Sequence, residues 1–145
     1  MKVMLKFILA LYSVVNISAS FSGSCDVTKV TYTSNDSKYT LQCSGDTSNP
    51  YTTIDLNSCI GCSQSYSPNF LYYTENVSTG YNNNNSYCSS CVLNSGKYLR
   101  CNVNSNGITP GFDIDVALAN TGGKLTCGNY NGVKCNALQS SGHCY

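Results

Sequence analysis

The sequence predicts an all-β fold made of two tandem repeats and stapled by disulfides. Three observations carry that prediction: a segment that recurs 58 residues on without a gap, ten cysteines in a chain of 145 residues, and short strand-like runs with no helical apolar period. The first copy of the repeat reads Leu41-x-Cys43, ten residues, then Ile54-Asp55-Leu56-Asn57-x-x-Ile60. The second reads Leu99-x-Cys101, ten residues, then Phe112-Asp113-Ile114-Asp115-x-x-Leu118. Apolar positions, the Cys and the first Asp recur in register, as expected for two copies of one supersecondary unit that cover each other's apolar faces. Upstream, Cys25-x4-Val30 precedes the first copy and Cys88-x4-Leu93 the second, 18 and 13 residues before the repeat's own Cys43 and Cys101. The repeat therefore nominates two hairpin bridges, Cys25–Cys43 and Cys88–Cys101. Each is worth about 3 kcal/mol by the chain-entropy model. The other six cysteines (Cys59, Cys62, Cys91, Cys127, Cys135 and Cys144) leave about fifteen pairings open.

Strands are expected at 27–33, 39–42, 52–56, 70–73, 98–102 and 124–127, where residues alternate or are β-branched and aromatic. Gly, Asn, Ser and Pro clusters separate them, among them Ser44-Gly45-Asp46 and Thr121-Gly122-Gly123. Asp55 and Asp113 each open a short stretch that can make a single helical turn, because Asp caps well. The segment 74–87 is rich in Asn, Ser, Thr, Gly and Tyr without periodicity and reads as a mobile insert outside the core. The tail from Gly128 lies outside the repeat, with Cys135 and Cys144 to tie it down.

Residues 1–20 read as a secretory signal peptide: Lys2 and Lys6, an apolar run over 7–15, then Ser18, Ala19 and Ser20. That run is shorter than the roughly 20 residues a membrane span needs. The expected organisation is one secreted domain over 21–127, with repeat one at about 24–67, an insert at about 68–87 and repeat two at about 88–127. A Cys-containing tail over 128–145 follows. Without the two leader lysines, six basic residues face seven acidic ones, so neither nucleic acid nor a membrane surface is an expected partner. Ten cysteines suit an oxidising compartment. Three sequons, at Asn35, Asn76 and Asn84, fit a secreted glycoprotein.

Several chemistries are weighed and set aside. Asp55 and Asp113 could be the carboxylate pair of a glycoside hydrolase, but their identical place in two repeats points to turn capping. Cys59-x-x-Cys62 with Cys88-x-x-Cys91 has zinc spacing, yet behind a signal peptide disulfides are the expected state. No βα pattern supports a Cys-x-x-Cys redox motif. His143 is the only histidine, so no Ser-His or Cys-His pair is readily built. Twelve tyrosines and no tryptophan could offer sugar-stacking platforms. For Tyr51, Tyr66, Tyr72, Tyr73, Tyr81 and Tyr87 the expectation is mostly half-buried packing. No enzyme activity, metal or cofactor is expected.

Ile54-Asp55-Leu56-Asn57-Ser58-Cys59-Ile60-Gly61 resembles the first-repeat signature of the cyanovirin-N homology family. Phe112-Asp113-Ile114-Asp115-x-x-Leu118-Ala119-Asn120-x-x-Gly123-x-Leu125 resembles the second. The resemblance covers residues 25–127 and implies a pseudo-symmetric all-β lectin fold in which each lobe mixes strands of both repeats. It further implies sugar sites at opposite ends for mannose-rich glycans. One site would use Ser24, Ser44, Asp46, Asn120, Thr121 and Gly122, whose donors and acceptors suit vicinal hydroxyls. The other would use Gly61, Gln64, Asn83, Asn102 and Asn104. There the family's Asn is replaced by Cys62, its turn Gly by Ser65 and an apolar position by Ser67, so one working site is expected, without the avidity of two.

Two functions follow. The first is a secreted lectin for mannose-rich or related oligosaccharides and glycoproteins, as a monomer or domain-swapped dimer. The alternative is a disulfide-rich extracellular structural or matrix protein that keeps the fold without binding sugar.

Overall fold

A computed structural model describes residues 20–74, 80–81, 87–104 and 107–145. The expected signal peptide up to residue 19, Asn83, and the sequons at Asn76 and Asn84 lie outside these residues. The fold is disulfide-rich and all-β, and among the described residues helical content is confined to 3₁₀ turns. Strands β1 (Thr31–Thr33), β2 (Lys38–Gln42) and β3 (Tyr51–Asp55) form an antiparallel unit. The hairpin of β4 (Ile60–Cys62) and β5 (Leu71–Tyr73) follows. Next, β7 (Tyr98–Val103) is flanked by β6 (Cys88–Asn94) on one edge. The short β8 (Gly107–Ile108) and β9 (Phe112–Asp113) lie along its other edge. The meander of β10 (Ala119–Thr121), β11 (Lys124–Cys127) and β12 (Tyr130–Asn131) comes last but for β13 (Val133–Cys135), which joins the first sheet beside β3.

The expected strand at 27–33 is realised only from Thr31. The Asp26 carboxylate accepts from the Thr28 amide at 3.0 Å and folds 26–29 into a turn. The two capped turns form as the sequence predicts. Asp55 accepts from the Asn57 amide at 2.9 Å and opens the 3₁₀ turn Leu56–Ser58. Asp113 accepts from the Asp115 amide at 3.1 Å and opens Ile114–Val116. Strand register, by contrast, is not repeated. Leu41 faces Thr52, whereas Leu99 faces Phe112, the counterpart of Ile54. Pro110 and Gly111 interrupt pairing along β7 between β8 and β9, and the partner of Leu99 lies two positions beyond Pro110, the counterpart of Thr52.

Five disulfides close the chain: Cys25–Cys43, Cys59–Cys127, Cys62–Cys88, Cys91–Cys101 and Cys135–Cys144. The first is the bridge the repeat nominates. The second corrects the expectation, because Cys101 pairs with Cys91 and not with Cys88. A β-bulge explains the change. Between Ser89↔Asn102 and Val92↔Arg100 two residues of β6, Ser90 and Cys91, oppose Cys101 alone. Ser90 takes the left-handed conformation, with φ of +47°. Cys88 lies opposite Val103 and is left to reach Cys62 of β4. All four cysteines with zinc-like spacing are thereby consumed.

One apolar core draws on residues from Phe21 to Cys127. Phe21 packs edge-on against Tyr39, with ring centroids 5.9 Å apart, and both are fully buried. The Tyr39 hydroxyl donates to the Gly96 carbonyl at 2.7 Å, joining β2 to the β6–β7 turn. The insert contributes core rather than only loop. Tyr81 is fully buried, its hydroxyl 2.9 Å from that of Tyr32, and Gly80 bridges Gly61. Apolar periodicity could not reveal this, since Tyr81 stands alone among asparagines. Of the other tyrosines, Tyr51, Tyr72 and Tyr87 are half-buried, while Tyr66 and Tyr73 are exposed.

The tail is docked by His143. Its Nδ1 meets Thr40 Oγ1 at 2.5 Å and its Nε2 meets Thr33 Oγ1 at 3.0 Å, and the ring is buried. The Cys144 amide adds a 2.8 Å bond to Thr53. Burial holds the imidazole pKa below its usual 6.5, against the opposing pull of Asp36. The unfolded chain therefore takes up this proton first. Stability is full above about pH 6.5 and falls as pH drops below it toward the folded-state value. Urea midpoints between pH 7.5 and 5.5 are expected to decline in the wild type and to stay level in His143→Gln. A level wild-type profile would contradict this docking.

Candidate functional site

The first expected site forms where two hairpin ends meet. The β10–β11 turn places Gly122 and Gly123 at φ of +59° and +81°, the paired left-handed residues of a type I′ turn. Opposite lies Gly45, at φ of +113°, and a Cβ there would sit 2.7 Å from the Gly123 amide nitrogen. Only glycine lets the two backbones approach this closely.

Asn120 fixes the junction. Its Nδ2 donates to Ser24 Oγ at 2.9 Å and to the Ser44 carbonyl at 3.0 Å, and its Oδ1 accepts from the Gly123 amide at 2.9 Å. These three bonds occupy both ends of the amide, so Asn120 holds three chain segments in place. Asp46 caps its own loop, accepting from the Ser48 and Asn49 amides at 3.0 Å each. Lys134 of β13 donates to the Asp46 carboxylate, and its ammonium lies 3.4 Å from the Gly122 carbonyl. The hydrogen bond from Lys134, seconded by that from Asn49, pulls the Asp46 pKa down to about 2. Thr121, exposed at the end of β10, has its hydroxyl 3.3 Å from that of Thr126.

Beside this junction opens a groove of about 550 Å³, lined by Ser24, Asp26, Gln42, Ser44, Asp46 and Thr47, with Pro50 as an apolar wall. That size lies within the usual range of small-ligand sites. Hydroxyls, an amide and two carboxylates converge on it. Of the expected residues, Ser24, Ser44 and Asp46 line the groove, Asn120 and Gly122 lie beside it against Ser24, Ser44 and Gly45, and Thr121 is not among its lining. Sequence reasoning missed Asp26, Gln42, Thr47 and Lys134. The first two flank the bridged pair Cys25 and Cys43, which is the signal that could have found them. Lys134 stands outside the repeat and left none.

The second expected site is differently arranged. Gly61 lies beneath the Tyr72 ring, whose Cζ would be 2.5 Å from a Cβ at that position. Tyr66 stacks on Tyr72 with centroids 4.1 Å apart. Gln64 opens the exposed 3₁₀ turn Gln64–Tyr66. Asn102 projects from β7 between Ser89 and Ile108, and Asn104 follows in the exposed turn. Cys62 is taken up in the buried Cys62–Cys88 cross-link.

Among the described residues no group of His, Cys, Asp and Glu is clustered to hold a metal ion, and no helix is long and apolar enough to cross a membrane. Asn35 lies in the exposed turn between β1 and β2. Comparison of the chain with models of protein families, with curated proteins and with solved structures gives no match. What fold and cross-links define is a disulfide-rich all-β protein, and five bridges suit an oxidising environment such as the cell exterior.

Proposed function

We propose that this chain is a secreted carbohydrate-binding protein of the cyanovirin-N homology type, recognising mannose-rich or related glycans without catalysis. The observation that carries the reading is the groove at the Gly45–Gly123 junction. Residues 76 positions apart, Ser44 and Asn120, are hydrogen-bonded to each other beside an open surface dense in hydroxyl, amide and carboxylate groups. Such a surface offers the mixed donors and acceptors that vicinal sugar hydroxyls require. The interleaving of the repeats supports the same reading. The β10–β11 hairpin packs on β3, with the Leu125 amide donating to Thr52 Oγ1 at 3.0 Å, while the Cys62–Cys88 bridge ties β4 of the first repeat to β6 of the second.

Function resides in one site in this reading. Tyr72 over Gly61 and the cross-link at Cys62 remove the polar character the second end would need. That second end favours the other reading, a structural extracellular protein without sugar binding. Calorimetric titration with a mannose-terminated oligosaccharide separates the two. Saturable binding is expected for the wild type and a loss of tenfold or more for Asp46→Ala in protein whose spectra remain native. Silence of a well-folded wild type would move the assignment to the structural protein.

A further inference from the structure

We propose that Lys134 is the specificity-determining residue of this groove: its ammonium closes the Asp46 rim onto the Gly122 rim, so that the groove admits neutral, hydroxyl-rich sugars and turns away glycans bearing sulfate or carboxylate. The proposal rests on the carbohydrate reading above and extends it to a strand outside both repeats.

Lys134 reaches two segments at once. It donates to the Asp46 carboxylate in the loop after β2, and to the Gly122 carbonyl, at 3.4 Å, in the β10–β11 turn. Its own backbone is held by β13, where Lys134 pairs with Thr52 of β3, and by the adjacent Cys135–Cys144 bridge. A flexible lysine stem is thus anchored at its base and paired at its tip. The ion pair places opposite charges side by side at the rim. The groove also holds the Asp26 carboxylate, bonded to Thr28 and 3.8 Å from the exposed Lys29 ammonium. With Lys134 engaged by Asp46 and Lys29 by Asp26, neither ammonium beside the groove is free to receive an anionic ligand. An anionic glycan would approach two carboxylates whose lysines are already paired, a penalty a neutral one does not meet.

The same arrangement predicts what each substitution releases. Asp46→Asn leaves the Lys134 ammonium unpaired in the groove, a point charge suited to sulfate or carboxylate. Lys134→Met removes the clamp and leaves Asp46 with its loop amides alone. Asp46 then titrates nearer the ordinary carboxylate value of 3.8 than its present value of about 2. A merely structural lysine would not move that titration and ligand preference together.

The test compares wild type, Lys134→Met, Asp46→Asn and the double variant against mannose-terminated, sialylated and sulfated oligosaccharides, with Asp46 followed by carboxyl NMR. The wild type is expected to bind neutral glycans only. Lys134→Met loses tenfold or more of that affinity with its melting temperature held, and its Asp46 midpoint rises. Asp46→Asn gains salt-sensitive binding of the sulfated probe, and the double variant loses it again. Unchanged neutral-glycan affinity in Lys134→Met, or no anionic binding by Asp46→Asn, overturns the role of Lys134 alone. Silence of every protein on every glycan, with native spectra, overturns the carbohydrate reading and this assignment with it.

Discussion

Replacing Cys59 and Cys127 together by alanine is expected to lower the free energy of unfolding by about 4 kcal/mol. This bridge spans 68 residues, the longest loop of the five, and joins the turn after β3 to the end of β11. The bridges Cys62–Cys88 and Cys91–Cys101 lie within that span and shorten the effective loop to roughly half. Because closure entropy grows only with the logarithm of length, the halving removes only about 0.6 kcal/mol. Both cysteines are buried, so the lost sulfurs also leave unfilled space. A small domain has a net stability of about 5–15 kcal/mol, and this one bridge is a large share of it. Guanidinium titration of oxidised protein measures the change. Cys135→Ala/Cys144→Ala, which opens a loop of 9 residues, is expected to cost less, about 2.5 kcal/mol. A smaller loss for the long bridge than for the short one would contradict this loop-entropy account.

Asn120→Ala is expected to abolish glycan binding and to reduce stability by about 2 kcal/mol. The side chain supplies three hydrogen bonds, each worth about 1 kcal/mol, and water replaces part of that at a half-exposed position. The functional loss is larger because of what those bonds join. Ser24 precedes the Cys25–Cys43 bridge, Ser44 follows it, and Gly123 belongs to the opposing turn. Without the amide the Gly45 loop and the Gly122–Gly123 turn lose their shared anchor, and the groove polar groups lose their spacing. Asn120→Asp provides a second readout. It keeps the acceptor for Gly123 but sets an oxygen against the Ser44 carbonyl, so it is expected to fail as alanine does. Retained affinity in both variants, by calorimetry on folded protein, would show that Asn120 does not hold the site.

Much of this was legible in the sequence where the physics is local. Asp55 and Asp113 cap their turns because a short carboxylate reaches an amide two residues on, whatever surrounds it. Tyr39, Leu41, Ile54, Leu99 and Leu125 are core because their strands alternate or lie buried on both faces. Cys25 and Cys43 pair across neighbouring hairpin strands. The rest depended on register, which spacing does not encode. A bulge at Ser90 and Cys91 moved the second hairpin bridge by three residues. The break at Pro110 and Gly111 shifted the partner of Leu99 although the repeat has no gap. Tyr81 and His143 are buried by contacts with distant strands, and each sits in a polar stretch that reads as loop. Lys134 reaches the groove only because β13 returns to β3. Of the residues foreseen at the first end, Ser24, Ser44 and Asp46 line one groove, while the amide of Asn120 turns inward to the protein.

The most direct measurement is an amide NMR titration of the oxidised protein with a mannose-terminated oligosaccharide. Saturable shifts confined to Ser24, Asp26, Gln42 to Thr47, and Asn120 to Lys124 are the predicted result. No shifts at high ligand concentration, or shifts centred on Gly61 and Gln64 instead, would contradict it.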